Sequence, residues 1–174
     1  MAITEKTKRG LYVLALVSEH LPGDLKPVVV GGFAVEFYAM GGYNTNDVDV
    51  LYLHPSKAGE LLAALGFTKV NRHWICAAYG LQIEFPGHVI EARARERITT
   101  LTIDGRTVSL IGIEDLILDR LNIVVHGKSP GDRRWPMELV LLHRDDLDMD
   151  YLQTQAQADR TAEELAGILR EIAS

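Results

Sequence analysis

Apolar and polar positions alternate between two periods along this chain, and the change of period divides it. From Thr4 to His20 the apolar residues Leu11, Leu14, Ala15 and Leu21 recur at helical spacing, with Val13 and Val17 widening the stripe. Leu21-Pro22-Gly23-Asp24 breaks that helix. Val28-Val29-Val30, entered through Pro27, is an unbroken β-branched run, which predicts a strand buried on both faces. Gly31-Gly32 follows, then a short helix over Phe33 to Met40 that Gly41-Gly42 ends. Val48 to Leu53 predicts a second strand. Pro55-Ser56 opens a helix to about Leu65, with Leu61, Leu62 and Leu65 inward and Gly66 as its stop.

Trp74 to Ala78 and Leu81 to Phe85 predict two strands joined at Tyr79-Gly80. Glu91 to Arg97, with Arg93, Arg95 and Arg97, fits neither period and is open between strand and helix. Thr99 to Ile103 and Arg106 to Leu110 form a hairpin, because Asp104-Gly105 supplies the positive φ angles of a two-residue turn. From Ile113 the pattern is helical: Ile113 to Val125, Asp132 to His143, Leu147 to Ala158 and Ala162 to Ile172, with Ser129-Pro130-Gly131 as a loop. Thr161 with Glu164 three residues on predicts a capping box for the last helix. The pattern predicts an α/β (α+β) part over 1–110 and a C-terminal helical region over 111–174 packed on it.

Composition narrows the class. The chain has 174 residues, 47% apolar and 24% charged, ordinary values for a globular protein. A net charge of −6 argues against nonspecific coating of duplex nucleic acid, which depends on many Lys and Arg contacts to phosphate. Cys76 is the only cysteine, so neither a disulfide framework nor a cysteine metal cluster is possible. Met1 to Gly10 is polar, unlike a signal peptide, and no apolar run approaches the roughly 20 residues of a membrane helix. The expectation is a cytoplasmic protein without a membrane partner.

The chemistry concentrates between Val28 and Tyr52. Asp47-x-Asp49 places two carboxylates on one face of a strand, because side chains alternate with period two. Adjacent carboxylates repel, and a cation between them resolves the repulsion. Gly31-Gly32, between a strand and a helix, lets backbone N–H groups approach a phosphate. Glu84 is an acid inside an otherwise apolar strand, where it needs a metal or a basic partner such as Lys69 or Arg72. Arg93, Arg95 and Arg97 suit either a solvated face or contact with a nucleotide or RNA. His73, His126 and His143 lack metal-ligand spacing, and Trp74 and Trp135 suit core or interface positions.

The order strand, Gly31-Gly32, helix, Thr45-x-Asp47-x-Asp49, strand, then a later strand acid resembles the nucleotidyltransferase superfamily that includes DNA polymerase β. More narrowly, it is similar to the small bacterial and archaeal members of toxin–antitoxin and abortive-infection systems. The segment Ile113 to Leu121 resembles the helix that follows the sheet in that group, with a basic residue at Arg120, and Asp132 matches an acidic start of the next helix. The resemblance covers about residues 25 to 145. It implies a nucleotidyltransferase-like mixed sheet with flanking helices. It implies that Asp47, Asp49 and Glu84 bind Mg²⁺ (or Mn²⁺), with Glu84 also the general base. It places Gly31, Gly32, Thr45 and Arg120 at the nucleotide. A nucleoside triphosphate such as ATP would be the substrate, and a protein, RNA or small molecule the hydroxyl acceptor. Two positions depart from the pattern: Gly32 stands where many active members carry serine, and Glu84 where the third acid is often aspartate. The alternatives are a catalytically silent antitoxin or binding module for a partner protein, and an antibiotic-modifying enzyme with an acidic cleft for a cationic drug.

Overall fold

The computed structural model describes residues 3–23, 25–87, 90–127 and 132–173. Asp24 and the expected Ser129-Pro130-Gly131 loop lie outside the described residues. The chain divides into two compact units, Met1–Ile111 and Gly112–Ser174.

In the first unit, helix α1 (Glu5–His20) is capped by Thr4, whose hydroxyl accepts the Thr7 N–H. The strands are β1 (Val28–Val30), β2 (Asp47–Leu51), β3 (Thr68–Val70), β4 (His73–Cys76), β5 (Leu81–Gly87), β6 (Thr99–Ile103) and β7 (Arg106–Leu110). Between them lie α2 (Gly31–Tyr38), α3 (Pro55–Ala64) and α4 (Ala92–Arg95). The strands form one mixed sheet in the order β3-β4-β5-β2-β1-β7-β6. The central pair β1 and β2 is antiparallel, while β2 runs parallel to β5 and β1 parallel to β7.

The alternation along β2 and β7 separates the two faces. Val48, Val50, Val108 and Leu110 are buried, whereas Asp47, Asp49, Leu51, Thr107 and Ser109 on the opposite face are more accessible. Helix α1 packs against β7 and α3, and α2 against β2. Gly10 explains how closely α1 meets α2: a Cβ there would sit 2.5 Å from the Phe33 ring. The Asp104-Gly105 turn has φ of 48° and 78°, the left-handed pair that a tight hairpin requires.

The structure revises several expected boundaries. Helix α2 starts at Gly31, two residues before the apolar run, and β2 ends at Leu51 rather than Leu53. The ambiguous arginine segment holds the single-turn helix α4. Strand β3 carries no apolar alternation, because all three residues of this edge strand are exposed.

The second unit has α5 (Ile113–His126), α6 (Arg134–His143), α7 (Met149–Ala158) and α8 (Ala162–Ile172). Its core is Leu116, Ile117, Leu118, Leu121, Leu139, Val140, Leu152, Leu165 and Ile168. The expected capping box does not form. The Thr161 hydroxyl donates to the Ala156 carbonyl instead, and Glu164 pairs with Arg133, which also binds Glu171 at 2.6 Å. No described helix is long and apolar enough to cross a membrane.

Candidate active site

Strand register brings the acids together. Asp49 of β2 lies opposite Glu84 of β5, and Asp47 opposite Gln82. Neighbouring strands are about 4.8 Å apart, and positions i and i+2 on a strand about 6.6 Å apart. Asp47, Asp49 and Glu84 therefore share one patch of the sheet's more accessible face. On the other side of β2, Val30 pairs with Asp49, so the chain enters Gly31 directly beside that carboxylate.

Gly31 has φ +65°, a conformation that side chains disfavour. A Cβ built on it would lie 2.3 Å from Asp49 Oδ2. Glycine thus serves both the left-handed turn from β1 into α2 and the close approach of backbone to acid. Gly32 is less constrained: a Cβ would meet the Tyr43 ring at 3.1 Å. The N-terminus of α2, where the first N–H groups of a helix have no intrahelical partner, opens at this point of the sheet.

The loop before Asp47 is tied down from beneath by an acid. Glu36 of α2 is only 1% exposed. Its Oε1 accepts the hydroxyls of Thr7 at 2.7 Å and Thr4 at 3.2 Å. Its Oε2 accepts the Thr45 N–H at 3.0 Å and pairs with Lys6 Nζ at 2.9 Å. Lys6 also donates to Asn44 Oδ1 at 2.7 Å and to the Thr45 carbonyl. Burial pushes the Glu36 carboxyl up, but the hydrogen bonds from Thr7, Thr45 and Lys6 together outweigh it, and the pKa lies below its ordinary value. Thr45 continues the chain of contacts: its hydroxyl accepts the Asp47 N–H at 3.1 Å. Thr45 therefore shapes the approach to Asp47 through its own loop.

Glu84 is held differently. Its side chain is 13% exposed, with Arg72 Nε 3.3 Å from Oε1 and His73 Nδ1 3.5 Å from Oε2. His73 lies opposite Glu84 in the β4–β5 register. Arg72 Nε donates to His73 Nε2 at 3.2 Å, and the Gln82 side-chain Nε2, a donor, lies 3.1 Å from His73 Nδ1. Of the two partners the sequence allowed besides a metal, Arg72 is the one at Glu84, while Lys69 lies over the Trp74 ring.

The donor set is all oxygen, which suits Mg²⁺ in kind. Among the described residues, however, no group of three or more His, Cys, Asp or Glu is gathered closely enough to hold a metal ion. The two aspartates and the glycine turn belong to one connected unit, whereas Glu84 is turned to its basic neighbours. Arg120 lies in the second unit, on α5, with both Nε and Nη2 donating to Asp119 Oδ2.

Sequence reasoning missed Glu36, Lys6 and Thr7, and the approach of His73 to Glu84. Glu36 carried the same signal as Glu84, an acid in an apolar run, here Gly31-Gly32-Phe33-Ala34-Val35-Glu36-Phe37-Tyr38. Its side-chain partners Thr4, Lys6 and Thr7 lie some 30 residues away at the start of α1, beyond the reach of local pattern.

No protein-family model matches the chain. No curated protein matches it either. Solved structures do share the fold. ANT(2")-Ia in complex with adenylyl-2"-tobramycin aligns with a TM-score of 0.54 and 16% identity, over 89% of this chain and 98% of that one. An antigenic nucleotidyltransferase-like protein from Paracoccidioides brasiliensis aligns with a TM-score of 0.56 and 18% identity, over 97% and 94%. The chain has a mixed α/β fold, a seven-stranded mixed sheet with flanking helices, like that of these nucleotidyltransferase neighbours.

Proposed function

We propose that the protein is a nucleotidyltransferase that moves a nucleoside monophosphate from a nucleoside triphosphate to an acceptor hydroxyl and releases pyrophosphate. The observation that carries this is the meeting of Gly31 and Asp49, where a left-handed glycine at the β1–α2 turn faces the carboxylate that shares a sheet face with Asp47 and Glu84.

In this reaction the N–H groups at Gly31 and Gly32 bind triphosphate oxygens at the start of α2. Asp47 and Asp49 would hold a Mg²⁺ (or Mn²⁺) ion, whose chemistry there would be to polarise phosphoryl oxygens and offset negative charge. Glu84 accepts the proton of the acceptor hydroxyl, whose oxygen bonds to the α-phosphorus as the α–β bond breaks. Arg72 and His73 compete for Glu84, so Glu84 works as a base only when Arg72 swings away. Arg72 is suited to that, its side chain being 74% exposed and its ion pair weak. Thr45 fixes the Asp47 loop. ATP is the first nucleotide to test, with RNA and protein among the candidate acceptors. Incubation with each labelled NTP, Mg²⁺ and acceptor candidates should give label transfer by wild type and none by Asp49→Asn. Equal transfer by both, or none with any acceptor, would refute it.

A second reading is a binding module that engages a partner protein, such as the toxin of a toxin–antitoxin pair, without turnover. Two observations favour it. Glu84 is occupied by Arg72 and His73. In the second unit, Ile123, Val125, Leu141 and Leu142 are exposed large apolar residues. Stable co-purification with a partner, with no rise in melting temperature on adding NTP, would support it.

A further inference from the structure

The first unit holds a cavity of about 610 Å³, within the size range of small-molecule sites. It opens on the same sheet face as the acids. Val28 and Leu51, which form part of its wall, pair directly across β1 and β2, and the next pair on that face is Val30 with Asp49. The cavity therefore begins about 7 Å along β2 from Asp49. A molecule seated in it can extend one group to the acids.

The lining is not neutral. Its charged residues are Lys26 and Arg95, its hydroxyls come from Thr100, Thr107 and Ser109, and the rest is largely leucine, isoleucine and valine. No carboxylate is among the described residues that line it, in a chain of net charge −6. Lys26 is steadied by the Leu21 carbonyl, which accepts from its Nζ at 2.6 Å. Tyr52 also lines the cavity, is 2% exposed, and its hydroxyl has no hydrogen-bond partner among the described residues. A buried hydroxyl without a partner is uncommon and marks a place where a polar group from outside the chain completes the site.

We propose that this cavity seats the acceptor, and that the acceptor is a small hydroxyl-bearing molecule with an anionic group, a carboxylate or a phosphate, recognised by Lys26 and Arg95. This assignment rests on the transfer reaction proposed above. The apolar wall takes the body of the molecule, the Thr and Ser hydroxyls align it, and its own hydroxyl reaches toward Asp49 and Glu84. A polycationic acceptor is disfavoured, because both charged groups in the wall would repel it and no carboxylate there would compensate.

The test is binding without turnover, using the whole chain with neither nucleotide nor metal. Amide spectra are recorded on titration with 4-hydroxybenzoate, phenyl phosphate, tobramycin and a short RNA. Saturable shifts at Thr100, Thr107 and Ser109 with the carboxylate, the phosphate or both are expected, the stronger of the two naming the anion. Arg95→Glu should weaken that binding by at least about tenfold. No saturable shift with either anion, equal binding by Arg95→Glu, or tighter binding of tobramycin or RNA at these amides would overturn the proposal. If Arg95→Glu does not fold, the wild-type comparison of the four probes decides alone. Anion binding without label transfer would sink the transfer reaction alone, and transfer without anion binding would sink the acceptor assignment alone.

Discussion

Glu36 and Glu84 are both acids set in apolar elements of the first unit, and the fold treats them in opposite ways. Glu36 is sealed under the loop that leads to Asp47, with four donors converging on its two oxygens. Glu84 sits at the accessible face of β5 with an exposed arginine and a histidine as neighbours. A buried, fully paired carboxylate is a fixed part of the frame. A carboxylate whose partner is solvated can exchange that partner for another cation or for a proton. The difference separates scaffold from chemistry, although the sequence presents the two residues alike.

The largest expected effect comes from breaking the buried member. Glu36→Ala strands Lys6, Thr7 and the Thr45 N–H, and should lower stability by about 3 kcal/mol or more in urea unfolding. Glu84→Ala should lower it by less than about 1 kcal/mol, because Arg72 is free to return to water. Equal losses from the two would end the distinction.

Next in size is Gly31→Ala, which meets both a φ of +65° and the Asp49 carboxylate at 2.3 Å. It should cost about 2 kcal/mol and abolish any nucleotide binding. Gly32→Ala has only the Tyr43 ring to displace and should cost about 1 kcal/mol or less.

The pH response follows from Glu36. Its folded pKa lies below the ordinary 4.5, so its contribution is fully present above that value and is lost as pH falls through the lower, folded pKa. Stability should fall on acidification below about pH 4.5. Glu36→Gln should start less stable and show a shallower fall, read from urea midpoints across that range. A wild-type curve unchanged by Glu36→Gln would show that Glu36 is not the group responsible.

Much of this frame was legible in the residues, and the missing parts share a cause. The Asp104-Gly105 hairpin, helix α8 and the two-aspartate strand follow from local turn chemistry and period, which act within a few residues. The start of α2 at Gly31 did not, because a left-handed glycine opening a helix is set by the carboxylate of a neighbouring strand rather than by its own segment. Thr161 and Glu164 matched a capping box, yet Arg133 drew Glu164 into an inter-helix ion pair, a tertiary competitor that a local motif does not register. The full exposure of the edge strand β3 and the partners of Glu84 depend on sheet order in the same way. The position of Asp47 and Asp49 on one face was readable from period two, while the pairing of Asp49 with Glu84 needed the parallel β2–β5 register.

The smallest structural effect is the most telling for chemistry. Arg72→Ala should change stability by less than about 0.5 kcal/mol. Any activity that depends on Glu84 should rise or shift in pH profile, since one competitor for the carboxylate is gone.

The central claim is that the glycine-turn acids transfer a nucleotide, and it is tested most directly by label transfer from α-labelled NTP in Mg²⁺, comparing wild type, Asp49→Asn and Arg72→Ala. The account predicts transfer by wild type, none by Asp49→Asn despite a matching melting curve, and at least wild-type transfer by Arg72→Ala. Transfer that survives Asp49→Asn, or its absence from wild type with every nucleotide and acceptor, would contradict it.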